Sequence, residues 1–249
     1  MIAAGGSSPT KRWIRNNLRF AKDFLSRGRV SDARGGRVRV ILLCGWSLTS
    51  GTMSTLASRL EADGFSAEIL PLGGLLGRLN TKAVEESASR LMEHLRSTMA
   101  CGERGAIVGH SLGGIIARYA VCFLGGHEYV HTLITLASPH RGSPVARVAR
   151  VTPLRWISKG VVELSPESNF MRALRAAPIP SSVYCASFFS ETDDMCPRPC
   201  AEIDFPAEAD NVVNIGVGAY GHFELAADES VYRMIKEELK RGTLRSSTI

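Results

Sequence analysis

The chain has 249 residues, 45% of them hydrophobic and 22% charged, which is enough apolar material for one large buried domain and too little charge for a disordered chain. The formal charge of +6 is unevenly spread: residues 1–40 carry ten Lys and Arg against two Asp, residues 141–181 carry seven against two Glu, and the remainder is net acidic. No run approaches the ~18 uninterrupted apolar residues of a membrane span, and the N-terminus has no secretory h-region, so the sequence predicts a cytoplasmic protein.

Two basic segments on an acidic body imply an anionic partner. With no zinc finger or RNP motif, that partner is read as phospholipid at a membrane surface rather than nucleic acid. Six cysteines sit at Cys44, Cys101, Cys122, Cys185, Cys196 and Cys200. Cys196-Pro-Arg-Pro-Cys200 is the one suggestive pair. Without a second pair or nearby His ligands it reads as two reduced thiols rather than a zinc site, and a local disulfide stays open for an oxidising compartment.

Residues 1–37 read as a basic appendage. Within it Trp13, Ile14, Leu18, Ala21, Phe24 and Leu25 recur at roughly helical spacing among basic residues, the pattern of an amphipathic helix that packs on the domain or lies on an interface. From residue 38 the pattern turns to alternating strands and helices. Residues 38–43 form a continuous β-branched run, 52–62 a helix, 65–70 a strand and 81–99 an amphipathic helix. Residues 106–108 are a short buried strand, 112–124 an apolar helix, and 130–137, 182–189 and 211–217 further strands, with a closing helix at 230–241. Repeated βα units predict an α/β class protein: a mostly parallel sheet with helices on both faces. Residues 141–181 break this rhythm with five prolines and only short helical pieces. Because they follow a strand, they are expected above the C-terminal edge of the sheet as a small cap or lid. The organisation is thus 1–37 as appendage and 38–249 as one domain carrying the cap insertion 141–181.

Gly109-His110-Ser111-Leu112-Gly113 matches G-x-S-x-G. A nucleophilic serine on a tight strand-to-helix turn projects its Oγ into a site, and side chains two residues either side would strike neighbouring backbone. The context required is present, with an apolar strand leading in and a helix leading out. Such a serine needs a base later in the chain. His131 begins a strand and His140 comes too early, whereas His222 follows a strand in the loop Gly216-Val217-Gly218-Ala219-Tyr220-Gly221-His222. The orienting acid belongs after the preceding strand, where Glu191, Asp193 and Asp194 all qualify by spacing. An oxyanion would be held by two backbone N–H groups, those of Leu112, just after the nucleophile, and of Trp46, after the first core strand.

Together these residues resemble the lipase-like branch of the α/β-hydrolase superfamily, the bacterial lipases and acylhydrolases, over nearly the whole of 38–241. Residues 109–114 are similar to that family's nucleophile elbow. Ser138-Pro139-His140-Arg141-Gly142 is similar to its Pro-His-x-Gly turn, and residues 164–170 to a segment after its lid. Thr192 to Pro197 resembles its acid turn, which implies Asp193 as the acid, and 216–222 resembles its base loop. Three departures stand out: Cys44-Gly45 where His-Gly is usual, Cys196 where Val is usual, and Tyr220-Gly221 before His222, which lengthens the base loop. The resemblance implies a fold of that type, an acyl ester or lipid substrate, and ester hydrolysis through an acyl-enzyme by Ser111, His222 and Asp193. No metal or organic cofactor is called for. Acyl transfer to another acceptor and thioester cleavage use the same triad, and an inactive binding protein on the same fold is the reading from outside enzymes.

Overall fold

In the computed structural model the strands alternate their side chains between two cores. The structure describes residues 38–45, 50–73, 82–151 and 159–247. The appendage 1–37, Trp46, and the residues Leu154, Trp156 and Ile157 of the expected cap lie outside them.

Strands β1 (Arg39–Leu43), β2 (Ser66–Ile69), β3 (Gly105–His110), β4 (Val130–Leu136), β5 (Tyr184–Phe189) and β6 (Val212–Gly216) form one sheet in the order β2-β1-β3-β4-β5-β6, every pair parallel. The expectation of a mostly parallel sheet thus sharpens to an all-parallel one among the described residues. Helices α1 (Ser50–Ala62), α2 (Val84–Thr98) and α3 (Leu112–Phe123) fill the crossovers in the first half. Short helices α4 (Pro144–Val151), α5 (Lys159–Glu163) and α6 (Asn169–Ala176) lie between β4 and β5; α7 (Arg198–Ala201) precedes β6, and α8 (Glu229–Ser246) closes the chain.

Period-two alternation explains the layers. In β1, Ile41 and Leu43 face a core with Leu91 and Leu95 of α2 and Ile115 and Ile116 of α3. Val40 and Leu42 face the opposite core, with Met53, Leu56 and Leu60 of α1 and Val231, Ile235 and Leu239 of α8. Helix α2 buries Val84, Ala88, Leu91, Met92 and Leu95, the i, i+4, i+7 stripe its sequence displays. Helix α6 starts at Ser168, whose hydroxyl accepts the Met171 N–H at 3.0 Å, and α8 starts at Asp228, which accepts the N–H groups of Ser230 and Val231.

The strand order reverses between β1 and β3, the place where open α/β sheets leave a crevice at their carboxyl ends. Register puts Leu43 beside Gly109, His110 beside Leu136, Leu136 beside Phe188, and Phe189 beside Gly216. The loops after β1, β3, β5 and β6 therefore leave from one edge. Among the described residues no helix is long and apolar enough to cross a membrane.

Candidate active site

Ser111 sits between β3 and α3 at φ 54° and ψ −123°, outside the conformations an L-residue normally adopts. The turn is held there by two backbone bonds. Ser111 donates its N–H to the Leu136 carbonyl at 2.8 Å, and its own carbonyl accepts the Gly114 N–H at 3.1 Å. The flanking glycines are needed for space. A Cβ on Gly109 would lie 2.5 Å from Gly114 Cα, and one on Gly113 would lie 2.5 Å from the Leu43 carbonyl oxygen. Strain of this kind is of order 1–3 kcal/mol, and the packed strand and helix on either side sustain it.

The crevice gathers residues far apart in sequence. His222, from the loop after β6, places Nε2 3.1 Å from Ser111 Oγ. Its Nδ1 lies 2.8 Å from Asp193 Oδ2, on the turn after β5, and both side chains are buried. Asp193 Oδ1 accepts the N–H groups of Met195 and Cys196, each at 2.9 Å. Of the three carboxylates that spacing left open, Asp193 is the one against the imidazole; Glu191 and Asp194 are exposed. Because a carboxylate only accepts, Nδ1 carries the proton and Nε2 presents its lone pair to the Ser111 hydroxyl. That arrangement can take a proton from Oγ and hold the resulting imidazolium beside an anion.

Leu112 is the first residue of α3, so its amide N–H has no acceptor within the helix. Gly45 passes so close that a Cβ on it would lie 3.0 Å from Ser111 Cβ. The second expected oxyanion donor, Trp46, follows Gly45 but lies outside the described residues.

Three polar groups of this region were not picked out from the sequence. Ser190 Oγ accepts the Tyr220 N–H at 2.8 Å and lies 2.9 Å from the Gly218 carbonyl, tying the acid turn to the base loop. His110, buried, places Nε2 2.8 Å from the carbonyl oxygen of His222. Arg118 of α3 is buried, and its Nη2 donates to the carbonyls of Leu174 and Ala177 at the end of α6.

The two other histidines weighed as the base, His131 and His140, have other partners. His131 is buried beside Thr132 and is pushed down to about 4 by burial and by the Arg104 charge. His140 is buried between Arg118 and Thr135 and is held well below the ordinary imidazole range by burial and then by Arg118. All six cysteines are free thiols; burial raises Cys44 and Cys185 to about 12 and Cys196 well above the usual thiol range, so none of these three is poised as a thiolate. Among the described residues no group of three or more His, Cys, Asp or Glu side chains could hold a metal ion.

A family model described as a PGAP1-like alpha/beta domain matches residues 77–154, which span α2, β3, the Ser111 turn, α3 and β4. No curated protein matches the chain by sequence. Among solved structures the chain is similar to a mature lipase of Bacillus licheniformis, with TM-score 0.65 and 16% identity over 85% of this chain and 95% of that one. It is also similar to lipase B of Aspergillus fumigatus, with TM-score 0.66 and 17% identity over 86% of this chain and 55% of that one. A monoacylglycerol lipase of Paleococcus ferrophilus gives TM-score 0.60 and 16% identity over 88% of this chain and all of that one. At such identities the likeness is one of fold.

Proposed function

From the premise that the chain has the α/β-hydrolase fold, we propose that it is a serine ester hydrolase with Ser111 as nucleophile, His222 as general base and Asp193 as the orienting acid. The observation that carries this is the line Ser111 Oγ, His222 Nε2, His222 Nδ1, Asp193 Oδ2, closed at 3.1 and 2.8 Å on a strained serine.

The steps follow from proton and electron bookkeeping. His222 Nε2 takes the Ser111 hydroxyl proton as Oγ bonds to the ester carbonyl carbon, and the carbonyl π pair moves onto oxygen. The Leu112 amide and the Trp46 amide hold that oxyanion; one such donor is worth about 3 kcal/mol of transition-state stabilisation. Collapse expels the alcohol, which takes the proton back from His222, and leaves an acyl-enzyme. Water then repeats the sequence and releases the acid.

The substrate class is an acyl ester, with lipid esters favoured because similar folds are lipases and a monoacylglycerol lipase. The segment between β4 and β5 is read as the cap, and buried Gly160 of α5 packs where a Cβ would lie 3.5 Å from a methyl of Leu112, the residue after the nucleophile.

A fluorophosphonate probe tests the reading, since only an activated serine reacts. Wild type should label and should hydrolyse a short p-nitrophenyl ester. Ser111→Ala should do neither while keeping its circular dichroism spectrum. Ester turnover by Ser111→Ala at the wild-type rate would reject the assignment.

A further inference from the structure

The variable position of the G-x-S-x-G turn is occupied by a histidine that the hydrolytic steps above do not use. We infer that His110 is a positioning residue: as a neutral imidazole with its proton on Nε2, it holds the backbone of the base loop and thereby keeps His222 over Ser111. The inference rests on the serine-hydrolase reading and adds to it a residue with a defined tautomer.

The geometry fixes that tautomer. His110 Nε2 lies 2.8 Å from the His222 carbonyl oxygen, across 112 residues of chain. A carbonyl only accepts, so Nε2 must carry the proton. Nδ1 is then a bare lone pair, and it is buried with no hydrogen-bond partner among the described residues. Unpaired buried polar atoms are rare in folded proteins, and each calls for a reason. Here the reason is the ring's other end: Nδ1 is left unpaired so that Nε2 can reach the base loop.

The loop needs such an anchor. It runs through Gly216, Gly218 at φ 86° and Gly221, so its backbone has unusual freedom. Ser190 holds it at Gly218 and Tyr220, and Asp193 holds the ring of His222. His110 holds the main chain at residue 222 itself, from the residue adjoining the nucleophile. Its ring also packs edge-on against the His222 ring, with centroids 4.9 Å apart, and Phe223 closes the other side with centroids 5.2 Å from His222 and 6.1 Å from His110.

The surroundings keep His110 neutral. The titratable groups acting on it are His222 and Asp193; burial first, and then His222, lower it to about 3. It therefore does not compete for the proton that His222 receives. Gly45 completes the pocket, since a Cβ there would lie 3.3 Å from His110 Nδ1 as well as against Ser111. Nucleophile turn, base loop and the loop after β1 thus meet at one imidazole.

The test follows fluorophosphonate labelling rates for wild type, His110→Phe and His110→Gln, with Ser111→Ala as the blank. Phe keeps a ring and loses the donor; Gln returns an amide N–H to nearly the same reach. Displacing a catalytic group by ~1 Å can cost on the order of 100-fold, so His110→Phe should label about 10- to 100-fold more slowly, and His110→Gln should recover to within about threefold of wild type. A Phe variant that labels as fast as wild type, or a well-folded Gln variant as slow as Phe, would overturn the inference. Histidine nitrogen NMR on the wild-type protein decides the matter if the Phe variant fails to fold. His110 should appear as the neutral Nε2–H form from pH 8 to pH 5, and the opposite tautomer, or a titration in that range, would overturn it. Absence of labelling in wild type would instead sink the serine-hydrolase reading, which the NMR readout does not depend on.

Discussion

Replacing Asp193 by Asn changes one atom, and the structure says which way the new amide must face. Oδ1 accepts two backbone N–H groups, from Met195 and Cys196. Turning the NH2 toward them would break two hydrogen bonds worth roughly 0.5–1.5 kcal/mol each and set donors against donors. The amide oxygen therefore stays at the Oδ1 position, and the NH2 occupies the Oδ2 position, 2.8 Å from His222 Nδ1. Two N–H groups cannot share that contact. His222 shifts its proton to Nε2, where it faces Ser111 Oγ and can no longer accept. Loss of the correct tautomer costs on the order of 10⁴ in kcat, equivalent to about 5 kcal/mol in the barrier. KM should change little, because the Asp193 side chain is buried. Asp194 is exposed, so Asp194→Asn should stay within about threefold of wild type. Steady-state kinetics on a p-nitrophenyl ester would read both. An Asp193→Asn enzyme keeping more than about a tenth of wild-type kcat, or an Asp194→Asn enzyme falling as far, would refute the reasoning.

Acid should weaken the fold: His110, His131 and His140 are held below the ordinary imidazole value of 6.5. The unfolded chain binds protons below that pH which the fold refuses, so their contribution is whole above pH ~6.5 and falls toward pH ~4 by up to about 4 kcal/mol per pH unit; urea midpoints that stay flat from pH 7 to 5 would contradict the burial of these rings. The two basic segments are proposed to dock the protein on anionic membrane through Trp13, Ile14 and Phe24, and through Leu154, Trp156 and Ile157, with docking helping to open the cap. Co-sedimentation should require anionic vesicles, weaken as salt rises and drop on deletion of residues 1–37; equal recovery with neutral vesicles would reject it.

What the sequence could show depended on how local the cause was. Strands such as those at 38–43 and 130–137 lie within one apolar run, so these residues announced buried strands on their own. The Ser111 turn was legible because strand, turn and helix are contiguous in sequence and Gly109 answers a clash with Gly114 five residues on, although Gly113 answers one with Leu43 of a distant strand. The acid was not, since Glu191, Asp193 and Asp194 differ only in which one the backbone aims inward; the family likeness pointed to Asp193, and the coordinates put that carboxylate against His222. Ser190 and His110 act on a loop about 30 and 112 residues away, and no spacing rule reaches that far. Arg118 did leave a trace. It stands three residues after Ile115, on the stripe α3 buries, where an arginine without a carboxylate partner is out of place until α6 offers its terminal carbonyls.

Three buried histidines share this edge of the sheet, and their partners explain why one alone suits a base. A guanidinium only donates, so the Arg118 Nη1 contact at 3.4 Å makes His140 Nδ1 an acceptor and puts its proton on Nε2, facing Thr135 Oγ1 at 2.9 Å. Thr135 then donates to Ser187 at 3.1 Å, and Ser187 to the Ala201 carbonyl at 2.7 Å, which fixes the direction of the whole chain. Protonating His140 would set two cations side by side without water. Protonating His110 would set a second cation beside His222. His222 meets a carboxylate on one nitrogen and a hydroxyl proton on the other, so gaining charge improves one contact and frees the nucleophile at the other. The same imidazole is a strut at 110 and 140 and a base at 222 because the partner's polarity differs at each. Giving His140 an acid partner in place of Arg118 would not make it a base, since no hydroxyl on a strained turn faces its Nε2; the elbow at Ser111 supplies that second condition at one place in the fold.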